Sequence, residues 1–245
     1  MALLKADFHI HTAEDPEDLI RYDAKQLVGM AAVQGFSILA ITNHNYCAWT
    51  PYLRDYARER GICLLQGMEA TIEGRHVVLL NFDFNKIGQV KRFSELEKIK
   101  ERYPEGLILA PHPFYPSPVA LRQVLLDHIN LFDAIEWSHF YSRLINFNLK
   151  AKDIASRMNL PLVGTSDAHQ TRQFGTTYTL VEAERDPDPG AVIEAIKKGR
   201  TEIVTTPLSI PTLFRINATM LFRNQILQRF NEIKGTRTAD IPNHS

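Results

Sequence analysis

Histidine and carboxylate, rather than cysteine, are the residues of this chain spaced for chemistry. Asp7-Phe8-His9-Ile10-His11 sets two imidazoles two residues apart at the end of a short apolar run. On an extended strand such residues share a face, so His9 and His11 should project together while Phe8 and Ile10 pack the other way. Asp167 and His169 repeat that spacing, and His44, Glu69 and His112 each stand just past an apolar segment. His76 follows Glu69 across the turn pair Glu73-Gly74. Histidine mixed with Asp and Glu suits zinc, manganese or iron, and is too rich in nitrogen for a magnesium or calcium cage. Donors in this number imply more than one ion. Two ions ~4 Å apart can clamp a phosphoryl group and bring the pKa of a bound water to ~7.

These donors need elements to carry them. Strands are expected at 37–42, 62–65, 76–80, 107–110, 133–137, 160–164 and 177–181. Helices are expected at 51–60, 86–103, 118–129 and 145–158, after an earlier one that carries Leu27, Met30, Ala31 and Val33 and stops at Gly35. The alternation predicts a parallel α/β fold, a barrel by preference and a doubly wound open sheet as the alternative. In α/β barrels the chemistry gathers at the C-terminal ends of the strands, where His44, Glu69, His112, Asp167 and His169 fall. His76 begins its strand instead, and the turn at Glu73-Gly74 would fold it back towards Glu69. Asp186-Pro187-Asp188-Pro189-Gly190 reads as a break. Residues 1–206 are assigned to the barrel and 207–245 to a C-terminal extension. Within the extension, 216–233 is expected to be a helix with Phe222, Ile226, Phe230 and Ile233 on one face, packing on the barrel or on a second subunit of a homo-oligomer.

The composition fits one large core: 245 residues, 44% hydrophobic and 23% charged. Lys+Arg and Asp+Glu are both 28, which argues against a nucleic-acid polymer or a membrane surface as the main partner. No apolar run approaches the length of a membrane span, and the opening residues reach a charge too soon for a signal peptide. Cys47 and Cys63 make no disulfide framework and fit a reducing cytoplasm.

The ordered series Asp-x-His-x-His (7–11), Ile-Thr-Asn-His (41–44), Gly-Met-Glu (67–69), Ala-Pro-His-Pro (110–113) and Thr-Ser-Asp-Ala-His (165–169) resembles the PHP (polymerase and histidinol phosphatase) family. The resemblance covers residues 7–169 and implies a distorted (β/α)7 barrel with up to three metals at its C-terminal face. Carried over by position, His9, His11, Glu69 and Asp167 would hold one metal. Glu69 would bridge to a second, held also by His76 and His112. Asp15, His44 and His169 would hold a third, with Asp18 and then Glu14 as alternatives to Asp15. Thr42-Asn43-His44 departs from the family's Thr-Asp-His, and the amide is expected to weaken the orientation and basicity of a neighbouring ligand.

The expected reaction is hydrolysis of a small phosphorylated metabolite or nucleotide by a metal-bound hydroxide, with two or three Zn, Mn or Fe ions as cofactors. Glu69, Asp167 and His169 would act at the reacting group. Arg143, Arg172 and His139 follow strand-end loops and are candidates to grip the substrate, and Glu136 is expected to stand behind the ligands. Two other functions compete. An amidohydrolase-type C–N hydrolase commonly needs a carbamylated lysine on a middle strand, where this chain has Glu69, His112 and Glu136. A non-catalytic PHP scaffold of the kind attached to DNA polymerases would be favoured by missing ligands, which this chain has in full.

Overall fold

The computed structural model describes residues 1–216 together with 218 and 219. Its apolar runs form two five-stranded sheets. The first joins β1 (Ala2–Asp7), β2 (Ile38–Ala40) and β3 (Cys63–Leu65) in parallel, with β9 (Thr177–Ala183) and β10 (Thr201–Thr205) antiparallel beyond β1, in the order β10-β9-β1-β2-β3. The second runs in chain order through β4 (Gly67–Ile72), β5 (Arg75–Leu80), β6 (Leu107–Ala110), β7 (Ala134–Ser138) and β8 (Leu162–Thr165). Its β4-β5-β6 part is antiparallel and its β6-β7-β8 part parallel.

The two sheets meet at two seams. β3 and β4 are one stretch of chain divided at Gln66, the first half pairing with β2 and the second with β5. Isolated bridges join His44 to Glu69 and Ile10 to Ala168. At the second seam Thr179 Oγ1 donates to the Gly164 carbonyl at 2.8 Å, a side chain standing in for a ladder. The expected closed parallel barrel is therefore corrected: among the described residues, hydrogen-bond ladders do not close the sheets. The cause lies partly in Glu73 and Gly74, whose positive φ values of 48° and 75° make the tight turn that reverses β5. At the first seam Gly67 is required. A Cβ there would lie 2.8 Å from the Ile41 carbonyl oxygen, so only glycine lets β4 pass this close to the end of β2.

The core shared by both sheets contains Leu4, Ala6 and Phe8 from the first and Val78, Leu109 and Val163 from the second, all buried. Helix α7 (Pro189–Lys197) adds Val192, Ile193 and Ile196 to it. Helices α1 (Ala24–Val33) and α2 (Pro51–Arg58) pack outside the first sheet, and α4 (Phe93–Arg102) and α6 (Asn148–Met158) outside the second. Their ends follow local chemistry. Asp23 caps α1 through the Gln26 N–H, and Thr50 caps α2 ahead of Pro51.

Several expectations change. The supposed break at 186–190 starts α7: Asp188 is its N-cap, accepting from the Ala191 N–H, and Pro189 opens the helix. Residues 86–103 divide into α3 (Phe84–Ile87) and α4, while 118–129 contains only the short α5 (Gln123–Asp127) and a 3-10 turn beginning at Ile129. Val33 is 89% exposed, and Val28 takes its place in the core. The helix residues Phe222, Ile226, Phe230 and Ile233 lie outside the described residues. No helix among the described residues is long and apolar enough to cross a membrane.

Candidate metal centre

β1 ends at Asp7, so His9 and His11 sit past the strand instead of on it. Phe8 joins the shared core while Ile10 packs in the cluster under α1 and α2. The imidazoles still converge, with their Nε2 atoms 3.2 Å apart. Glu69 Oε2 lies 3.4 Å from each of these Nε2 atoms, and Asp167 Oδ1 lies 3.5 Å from each. These separations match a coordination polyhedron. A tetrahedral ion with bonds of ~2.0–2.1 Å has donor–donor edges of roughly 3.3–3.4 Å. His9, His11 and Asp167 thus form one donor set with edges of this size, and Glu69 Oε2 stands at a like distance from both imidazoles.

The other oxygen of Glu69 faces a second group. Oε1 lies 2.9 Å from His76 Nδ1 and 3.3 Å from His112 Nε2. The hairpin register, with Thr71 opposite His76, brings His76 back to this end of the sheet, as its turn implied. His44 Nε2 stands 3.2 Å from Glu69 Oε2, and His11, His44 and His169 form a further set whose donor nitrogens lie within 4.8 Å of one another. One buried carboxylate thus presents its two oxygens to different sets of imidazoles.

Behind the donors, four of the imidazoles that turn Nε2 inwards have a partner for Nδ1, whereas His112 Nδ1 is buried without a hydrogen bond. His9 Nδ1 is 2.8 Å from Glu136 Oε1, and His11 and His44 both turn Nδ1 to Asp15 Oδ2, at 2.8 and 2.9 Å. His169 Nδ1 lies 3.0 Å from the Asp167 carbonyl. Partners of this kind fix ring orientation and tautomer and raise the basicity of the donor nitrogen. Glu136 is itself held by the Thr165 hydroxyl and the His112 backbone N–H. His112 and Asp167 have positive φ values of 28° and 44°, a conformation costing side-chain-bearing residues ~1–3 kcal/mol each.

Charge is concentrated and buried. Burial alone would raise Glu69 and Asp167, yet the surrounding histidines hold both carboxyls well below the usual range. Burial likewise opposes the charged form of His9, but Glu69, Asp167 and Glu136 hold its imidazole well above the ordinary value. His44 is raised to about 9 against its burial, chiefly by Asp15. Ionised carboxylates at such depth need positive charge beside them. The donor set fits divalent ions of the nitrogen-accepting kind.

The expected residues do not all take the expected parts. Neither Asp15 nor Asp18 is in any of the donor sets. Asp15 Oδ2 accepts from two imidazoles and the His44 N–H, and its Oδ1 accepts from the Glu17 N–H, so it orients ligands. Asp18 is the loop carboxylate that reaches the cluster, with Oδ2 3.4 Å from His169 Nε2. Glu14 instead accepts from the Ala24 N–H at the start of α1. Asn43 touches no imidazole in its hydrogen bonding: its amide exchanges bonds with Thr12 and pins the loop after His11. Arg143 and Arg172 are exposed and are not brought to the cavity beside the cluster. His139 is wholly buried, and burial pushes it down to about 4. Its Nε2 meets the Gln173 amide at 3.1 Å, and Gln173 Oε1 accepts the His169 N–H. Gln173 gave no signal in the sequence, since a lone glutamine matches no ligand motif.

The arrangement has relatives. The sequence model of the PHP-associated family (PHP_C) matches residues 146–201. A two-domain protein from Bacteroides vulgatus ATCC 8482, containing a predicted PHP-like metal-dependent phosphoesterase, superposes with TM-score 0.64 at 21% identity, over 86% of this chain and 68% of that one. PsfC from Pseudomonas syringae PB-5123 gives TM-score 0.60 at 17% identity, over 93% of this chain and all (100%) of that one. Endonuclease Q, in complex with a 27-mer duplex carrying an abasic lesion, gives 0.55 at 16% identity, over 80% of this chain and 57% of that one. No curated protein sequence matches. The fold is thus of the PHP-like α/β class. The PHP-associated match at residues 146–201 agrees with the PHP resemblance of the motif series.

Proposed function

We propose that this chain is a metal-dependent phosphoesterase that holds two or three divalent ions of the zinc, manganese or iron type. The observation that carries the reading is the division of Glu69, one oxygen facing His9, His11 and His44 and the other facing His76 and His112. His9, His11, Glu69 and Asp167 would hold one ion, and Glu69, His76 and His112 a second. Asp18 with His44 and His169 is assigned to a third, Asp15 serving as the brace for His11 and His44. Bound there, such ions supply the Lewis acidity that makes water nucleophilic near neutral pH and offsets charge on the phosphoryl oxygens.

The chain's own residues then do the positioning. The cluster opens on a cavity of about 490 Å³. Glu69, Asp167 and His169 line it and are assigned to the reacting phosphoryl group. Water oxygen forms the new P–O bond, the ester P–O bond breaks, and the alcohol oxygen leaves with a proton, giving phosphate and alcohol. The ester is a small phosphorylated metabolite or nucleotide. Neutral net charge does not set DNA aside, because the endonuclease relative is crystallised on a duplex. The amidohydrolase alternative is disfavoured: among the described residues lining the cavity there is no lysine to carry a carbamate.

Metal analysis of protein purified without chelator, followed by a panel of phosphomonoesters and phosphodiesters, tests this reading. Metal near two or three equivalents and ester hydrolysis that is lost together with metal in Glu69→Gln are expected. Hydrolysis that persists in the metal-depleted variant would overturn it.

A further inference from the structure

The walls of the cavity differ from its floor. Above the donors, one side is made by Tyr115, Pro118 and Val119 from the loop after β6 and by Phe140 from the loop after β7. The Tyr115 and Phe140 rings meet edge to face, with centroids 5.2 Å apart and planes at 79°. Glu17 also lines the cavity, and Asp18 stands at the cluster itself, with Oδ2 3.4 Å from His169 Nε2. Among the described residues of the wall there is no lysine or arginine. Arg75, the cation nearest this loop, directs its guanidinium to the carbonyls of Pro118 and Ala120.

We infer that the substrate carries a single phosphoryl group on an uncharged, planar ring system, an aryl or nucleoside monophosphate, the ring lying against Tyr115 and Phe140. This rests on the phosphoesterase reading above and narrows it. Positive charge is available only at the floor, where the ions would sit, so one phosphoryl group can be neutralised there. A second phosphate in the cavity would meet Glu17 with no side-chain cation of the wall to receive it, and like charges so placed reject a ligand. The aromatic and apolar side supplies the complementary attraction, since ring faces and edges pack favourably on Tyr and Phe.

Calorimetric titration of the metal-loaded protein with inorganic phosphate, methylphosphonate and phenylphosphonate, none of which carries an ester bond, tests the inference without turnover. Phenylphosphonate should bind at least ~10-fold tighter than methylphosphonate, and that ratio should fall by about tenfold in Phe140→Ala. In parallel, kcat/KM for adenosine 5′-monophosphate should exceed that for adenosine 3′,5′-bisphosphate by at least ~10-fold, and Glu17→Gln should narrow the gap. Equal binding of the two phosphonates, or preference for the bisphosphate, would overturn the ring-bearing monophosphate while leaving phosphoester hydrolysis standing. Failure of all three probes to bind would remove both. Methylphosphonate binding by each variant reports whether its metal-loaded site is intact.

Discussion

The two sheets bring different chemistry to the same place. The ends of β1 and β2 contribute only imidazoles to the donor sets, His9, His11 and His44, and the brace behind two of them is Asp15 on the loop between. The second sheet and its loops contribute both donor carboxylates, Glu69 and Asp167, along with His76, His112 and His169. Neither sheet holds a complete set for the first ion. The contacts that join the sheets lie at the donors themselves: one bridge pairs His44 with Glu69, and the other pairs Ile10, between His9 and His11, with Ala168, between Asp167 and His169. Where the hydrogen-bond ladder lapses, ion–ligand bonds would take over the joining.

The largest effect should come from cutting the group that serves both sides. Glu69→Gln keeps shape and loses charge. Metal content by mass spectrometry and turnover should fall together, and further than the ~10–100-fold typical of a residue standing behind a ligand. Stripping the ions with a chelator should come next. If ions join the seams, metal at 100 times its dissociation constant stabilises the fold by ~2.7 kcal/mol, read as a shift in the denaturation midpoint. Hydrogen exchange should then rise first around β2 and β4; uniform exchange across the chain would argue that the sheets cohere without metal.

Smaller changes sharpen the difference between ligands and their braces. Glu136→Gln removes the charge behind His9 while sparing every donor, so metal affinity should drop ~10–100-fold with the donor set unchanged. His139 probes the second sheet alone. Burial lowers it to about 4, below the ~6.5 of an unfolded chain. The unfolded state therefore takes up more protons between those values, and stability, full above ~6.5, is lost as pH falls towards 4. Urea midpoints of metal-free protein at pH 7.5 and 5 should show a loss on the order of 1 kcal/mol smaller in His139→Gln. His169, also held near 4 by burial and His11, keeps part of the slope in that variant.

Apart from His76, the residues of the cluster were legible because each combines a distinctive residue type with a position at the end of an apolar run. The same reasoning found the hairpin that returns His76, since Glu73-Gly74 is a turn signal with a mechanism. It left the part of Asp15 open, because residue type alone cannot separate a carboxylate that binds an ion from one that orients two imidazoles; the Nδ1 distances bear on that choice. Sheet closure was beyond local pattern as well. Gln66 looks like an ordinary strand residue, yet the pairing changes sheets there, and that depends on partners far along the chain. Asp188-Pro189 was read as punctuation when it is a cap followed by a first helical residue. Arg143 and Arg172 had the right chemistry for phosphate, but their loops leave them in solvent.

Anomalous diffraction at the zinc, manganese and iron edges, from crystals of protein purified without chelator, locates the ions directly. Two or three peaks along the seams are expected, one within ~2.0–2.2 Å of donors from His9, His11, Glu69 and Asp167, with Glu69 shared by a second. The absence of any ion held jointly by His9 or His11 from the first sheet and Glu69 or Asp167 from the second would contradict a metal centre built between the two sheets.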